Sequence, residues 1–346
     1  MNAVDNKCPS CNANIKFNPT TQRWDCEYCG SSFTVEDFEN KQKKEQNVED
    51  EQCYTNMNEY SCPNCGAVVI TDENTVATSC VYCGNTTIMK NRLQGDFKPD
   101  KIIAFKSKKE DAIEAFQKNV KKRWFAPSDF SKKENIEKIS GVYIPFWLFD
   151  GGVSGSISAE AIRTRRWTSG DYRYTEENIY NCERAGNIEV TDVPVDGSSK
   201  FEDEIMDSIE PFDYSEFVEF NQSYLSGFLA EKYDLTSDDV YERAENRMEE
   251  TITSELRNSI SGFDSVYIKN KDIHIKKGDV EYALLPVWML NIKFKDKLYT
   301  FAMNGQTKKT VGYVPKDAKK IVIKSLICFG VSFVIAFLFN YMGGML

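Results

Sequence analysis

Histidine is nearly missing from this chain: His274 is the only one in 346 residues. A Ser-His or Cys-His nucleophile system would have to be built on that single imidazole. It alternates with Ile273 and Ile275 in a strand-like run, which places it on a solvent face and gives it no catalytic part. A phosphate-cradling loop is missing as well. The run Gly305-Gln306-Thr307-Lys308-Lys309-Thr310 has lysines but lacks the glycines of G-x₄-G-K-[ST], and reads as a hairpin turn. Positive charge is in deficit, with 43 basic against 53 acidic side chains and a formal charge of −10. Such a chain is a poor general binder of nucleic acid. The opening MNAVDNKCPSC has neither a basic start nor an apolar run, so no secretory signal is expected there and free thiols fit a reducing cytosol. With no catalytic set to name, the chain is expected not to be an enzyme.

What is present is cysteine in an ordered pattern. Eight of eleven fall into two quartets, Cys8, Cys11, Cys26 and Cys29, then Cys62, Cys65, Cys80 and Cys83. Each reads C-x₂-C, fourteen residues, C-x₂-C, and the second copy begins 54 positions after the first. Four thiolates at this spacing suit one tetrahedral Zn²⁺ per quartet, with a hairpin bringing the second pair back to the first. Gly30, Gly66 and Gly84 follow the second cysteine of three pairs, where a knuckle needs positive φ, and Asn12 takes the fourth such place. Tyr28-Cys29-Gly30 repeats as Tyr82-Cys83-Gly84. Two zinc ions and two zinc ribbons, 1–33 and 61–95, are therefore expected. Residues 1–95 hold eight basic and thirteen acidic side chains, and two thiolate sites add about −4 more. The ribbons thus have no overall basic face. Of the remaining cysteines, Cys53 falls in the charged stretch 34–60, read as a linker that leaves the ribbons semi-independent. Cys182 is expected to pack as a small apolar residue.

From 97 to 315 the composition is that of a folded α+β body, β-rich with an antiparallel sheet. A helix is expected over 108–124, with Ala112, Ile113, Phe116, Val120 and Trp124 on one face. Short helices are expected near 201–209 and 223–233. The longest helix should run from Ser237 to Ser261, started by Thr236 with Asp239 and stopped by Gly262. Strand signals fill 142–150, 153–195 and several runs between 264 and 314, with Asp150-Gly151-Gly152 marking a strand end. Ile144-Pro145-Phe146-Trp147-Leu148 is echoed by Leu285-Pro286-Val287-Trp288-Met289, which would suit two related halves or two independent core strands. Arg163, Arg165 and Arg166 beside Trp167 form a basic-aromatic cluster on a strand.

The chain ends in IVIKSLICFGVSFVIAFLFNYMGGML. About 23 residues, 321–343, give roughly 34 Å of helix, enough for a single transmembrane helix. Five lysines, from Lys308 to Lys320, lie just before it, Lys324 lies one turn inside, and no charge follows. The positive-inside tendency then keeps the bulk of the chain cytoplasmic, on a single-pass tail anchor in the cell membrane. Cys328, Ser332, Ala336 and Asn340 recur every four residues as a small or polar ridge suited to another transmembrane helix.

The paired CPxC…CxYCG ribbons with VYIPFWLFD, VPVDGS, SIEPFD, YLSGF, LPVW, FAMNGQT and the apolar tail resemble the YdjG-type membrane proteins of Gram-positive bacteria, labelled as carrying transcription-factor-IIB-type (TFIIB-type) zinc ribbons. The resemblance covers nearly the whole chain. It implies a membrane-anchored protein working with a flotillin-like (SPFH) scaffold and PspA-like proteins in membrane stress. Lys308 departs from the family pattern, which has Gly after Asn304-Gly305-Gln306-Thr307. A non-enzymatic adaptor or scaffold is the first functional expectation, and a zinc-ribbon nucleic-acid binder in replication or transcription is the alternative.

Overall fold

A computed structural model describes residues 7–34, 37, 57–71, 77, 80–83, 85, 89–92, 98–295 and 297–343. Most of the stretch read as a linker, with Cys53 and Gly84, lies outside them.

The first cysteine quartet is carried by a three-stranded antiparallel sheet, β1 (Ile15–Asn18), β2 (Arg23–Cys26) and β3 (Ser32–Phe33). The second lies on β4 (Asn58–Ser61), β5 (Val68–Thr71) and β6 (Met89–Arg92). These strands are not a separate module. Ala230 and Glu231 pair antiparallel with Ile70 and Val69, so β4 to β6 extend the 11-stranded sheet of the body. The first ribbon packs on the body as well. Trp24 is fully buried against Phe17 and Tyr224, and its indole N–H donates to the Ser223 carbonyl at 2.9 Å. The expected semi-independence is thus replaced by docking, because each ribbon carries apolar residues that its own small sheet cannot cover.

The body continues through β7 (Lys101–Ile102), α1 (Lys109–Lys121), α2 (Lys133–Ile136), β8 (Ser140–Ser169), β9 (Tyr172–Asp196), α3 (Asp203–Ile209), β10 (Val218–Glu219) and β11 (Leu229–Glu231). It closes with α4 (Ser237–Asn258), β12 (Ser265–Phe294), β13 (Lys297–Asn304), β14 (Thr310–Gly312) and α5 (Ala318–Gly343). The sheet is mixed. Most pairs are antiparallel, while β11 runs parallel to β8 and β7 parallel to β12.

Runs expected as separate strands merge into three very long ones. β8 pairs with β12 from Ser140 to Ile162 and with β9 from Phe146 to Ser169. Asp150-Gly151-Gly152 is not a strand end. The chain runs on because glycine there admits α4: a Cβ on Gly151 would lie 2.9 Å from Met248 Sδ. Helix α4 starts as read, with Asp239 N–H donating to Thr236 Oγ1 at 3.3 Å and Thr236 N–H to the Asp239 carboxylate at 2.8 Å. Its buried Val240, Ala244, Met248, Ile252 and Leu256 spread over β8, β9 and β12, as their drift around the helix requires. The two Pro-x-Trp segments lie side by side, Ile144 opposite Leu285. Both prolines sit inside the sheet rather than at an edge, and their carbonyls accept equivalent bonds from Gly197 and Gly305, each at 2.8 Å.

Two helical expectations fail locally. Trp124 is 76% exposed, because α1 ends at Lys121 and the face of Ala112, Phe116 and Val120 stops with it. Residues 223–233 form a short turn, Gln222–Leu225, and then strand β11; Gly227 at φ +87° breaks the helical path between them.

Among the described residues no helix is long and apolar enough to cross a membrane. Side chains of α5 are described through Ile335 and at Phe337, and Ala318–Ile335 contains Lys319, Lys320 and Lys324. The later part of the expected span 321–343, with Ala336 and Asn340, falls outside what is described of side chains. Within the described part, Leu326, Ile327, Phe329, Val331, Phe333, Val334 and Phe337 are all exposed. Cys328 and Ser332 are exposed too.

Candidate metal centres

Each quartet is assembled by two knuckles of one design. Asn12 N–H donates to the Cys8 carbonyl, Gly30 to Cys26 and Gly66 to Cys62, at 2.8 to 2.9 Å. The three acceptors' partners have φ of +60°, +72° and +71°. This is the left-handed turn expected there, with Asn12 standing in for glycine. In all four knuckles the first cysteine's N–H reaches forward to a carbonyl five residues on: Ala13, Ser31, Ala67 and Asn85.

These turns bring the sulfurs together. Cys8 Sγ lies 3.5 Å from Cys29 Sγ, and the Cys11–Cys26, Cys62–Cys83 and Cys65–Cys80 pairs each lie 3.6 Å apart. Within each quartet all four sulfurs lie within 4.8 Å of one another. Tetrahedral zinc with Zn–S bonds of about 2.3 Å needs sulfurs about 3.8 Å apart, so both sites fit the ion. A disulfide needs about 2.05 Å, and all eight thiols are free. The Ser31 hydroxyl and backbone N–H hold the Cys29 thiol down to about 6, which favours the ligating thiolate. Burial pushes the Cys80 thiol up. Bound zinc would supply a fixed centre that clamps the two knuckles of each quartet.

The repeated Tyr-Cys-Gly motif has two different fates. Tyr28 is 83% exposed, whereas Tyr82 is 5% exposed and packs edge-on against Phe201. The first ribbon turns its second knuckle to solvent, and the second ribbon turns the same knuckle into the body. Beside Tyr82, Glu231 is buried with its carboxylate accepting from Ser198 Oγ at 2.7 Å.

Compared with known proteins, the chain is 36% identical over 318 residues to the uncharacterized protein YdjG of Bacillus subtilis strain 168, covering 92% of each. The chain belongs to the YdjG family. No protein-family model and no solved structure matches it.

Other sequence signals of this YdjG-family chain are also placed. Lys308, where the resemblance led to an expectation of Gly, adopts φ +62°, so the turn has a left-handed residue there despite the side chain. Asn304 organises that turn: its side-chain oxygen accepts from Gln306 and Thr307 N–H, each at 2.9 Å. His274 is exposed on β12, and Cys182 packs against the α4 core. The arginine cluster divides. Arg163 turns back to donate to the Gly262 carbonyl, while Arg165 lies over Trp167, itself stacked on Tyr174 near the β8–β9 tip.

Sequence reading missed an ion-pair network. Arg243 contacts Asp196 at 2.9 Å and Asp203 and Asp207 at 3.1 Å, and Arg247 contacts Asp207 and Glu210 at 2.7 and 2.9 Å. Its one trace in the sequence is Arg243 and Arg247 at i, i+4 on a predominantly acidic helix.

Proposed function

We propose that the chain is a non-enzymatic adaptor whose α5 anchors it in the membrane with the bulk cytoplasmic, and whose first zinc ribbon contacts a protein partner. The observation that carries this reading is the contrast between Tyr28 and Tyr82. The second ribbon spends its knuckle aromatic on the body, which is a structural role. The first leaves Tyr28 to solvent on a metal-clamped knuckle, and an exposed tyrosine on a rigid turn suits a contact residue. The uncovered apolar side chains of α5 support an anchor. By the resemblance of the whole chain, an SPFH-type scaffold and a PspA-type protein are the partner classes to test.

Tyr28→Ala should leave zinc content and folding unchanged and reduce crosslinking of the full chain to such partners in membranes. Equal crosslinking would refute the contact. Carbonate-washed membranes should retain the full chain; its release would refute the anchor. Tight DNA binding at physiological salt, falling steeply as salt rises, would favour the nucleic-acid reading instead.

A further inference from the structure

A strongly basic region lies at the foot of α5 in this acidic chain. Residues 118–124 and 316–324 together hold eight basic side chains and one acidic, a local charge of +7 in a chain of −10. Folding brings the two segments together. Asp317 N–H donates to the Phe125 carbonyl at 2.8 Å, Lys320 Nζ to Ala126 O at 2.6 Å and Lys324 Nζ to Trp124 O at 2.7 Å. Lys324 Nζ also lies 5.3 Å from the centre of the Trp124 ring. Where they meet is a cleft of about 450 Å³ whose polar lining includes Lys121, Arg123, Ser131, Lys320 and Lys324. Its lining contains no carboxylate, and among the described residues none of the eight cations is in an ion pair.

We propose that this cleft binds the phosphate of anionic phospholipid headgroups. Surface lysines at the end of α1 would ordinarily be a solvated helix terminus. Here the segment that follows them, Trp124 to Ala126, is fastened to the start of α5 by three hydrogen bonds, just before the uncharged run that begins at Ser325. Trp124, 76% exposed at the cleft mouth, is the amphipathic side chain that settles at headgroup depth. Arg123 offers a fork for two phosphate oxygens, and Lys121 adds a point charge. Ser131 can donate a further hydrogen bond. Headgroup binding would also fix the angle at which the body meets the bilayer.

The inference rests on α5 meeting a membrane, and its test separates the two. Full-length protein and a Lys121→Glu, Arg123→Glu variant are reconstituted in phosphatidylcholine vesicles with and without phosphatidylglycerol. The lipid retained by the purified chain is then counted by mass spectrometry. Wild type should retain phosphatidylglycerol selectively, and the variant should lose about fivefold of that selectivity per reversed charge or more. Both should stay in pure phosphatidylcholine vesicles. Equal selectivity in the two proteins overturns the proposal. So does abolition of selectivity by millimolar inorganic phosphate, which would make the cleft a free-phosphate site. Loss from phosphatidylcholine vesicles with selective phosphatidylglycerol binding intact refutes the anchor and leaves the cleft standing. Both substituted residues are exposed, and a Lys121→Gln, Arg123→Gln form with an intermediate effect would exclude misfolding as the cause.

Discussion

Glu231 makes the junction between the second ribbon and the body sensitive to pH. It is 1% exposed, and burial raises its carboxyl from 4.5 to about 8, offset in part by the Ser198 and Tyr82 hydroxyls. A carboxyl held above its unfolded value binds its proton more tightly in the folded chain. Its contribution to stability is therefore complete below about pH 4.5 and is lost as pH rises through about 8. With these two values, the linkage relation gives a loss of about 3.5 kcal/mol between pH 5 and pH 8. Glu231→Gln keeps the shape and removes the titration. Zinc ligation confounds the wild-type curve, because thiols release the metal as pH falls. The difference between wild type and Glu231→Gln cancels that effect. Thermal unfolding of both proteins from pH 5 to pH 8 should show wild type losing roughly 5–10 °C relative to the variant. Parallel curves would refute the claim that this carboxyl is protonated in the folded chain.

Metal analysis should find two zinc ions per chain. Cys8→Ser should lose one of them and loosen Trp24 from its seat beside Ser223, whereas Cys62→Ser should lose the other and expose the β5–β11 seam to protease; a seam no more open in Cys62→Ser than in the unaltered chain would refute the docked second ribbon. Lys308→Gly removes a non-glycine residue from a left-handed turn at the cost of an exposed ion pair with Asp111, and should raise stability by about 0.5–1 kcal/mol in denaturant unfolding. Arg243→Ala strands the buried Asp196 carboxylate and should cost about 3 kcal/mol or more, read the same way.

The metal sites were legible because metal ligation imposes local arithmetic: two residues between sulfurs, a left-handed residue after the second, and a hairpin between pairs. Asn12 shows how far that reaches, since its φ of +60° followed from its place in the pattern. Helix α4 was legible through Thr236 and Asp239. What stayed hidden depends on residues distant in sequence. The docking of the second ribbon rests on Ala230 pairing with Ile70, 160 positions away, and no periodicity announces such a partner. The unbroken course of β8 was hidden by Gly151, a breaker by propensity that serves here as clearance for Met248. Trp124 was misplaced by extending the α1 period past a helix end that nothing in the sequence marks.

The three long strands have a mechanical consequence. At about 3.3 Å per residue, the 30 residues of β8 trace a path of up to roughly 100 Å. The strand ends at the tip where Trp167 stacks on Tyr174. Most of that path is braced by β9 on one side and β12 on the other, with α4 laid across as a splint. The molecule is therefore built as a boom: a bend at its base is magnified along its length, and a grip on its tip exerts leverage on the base.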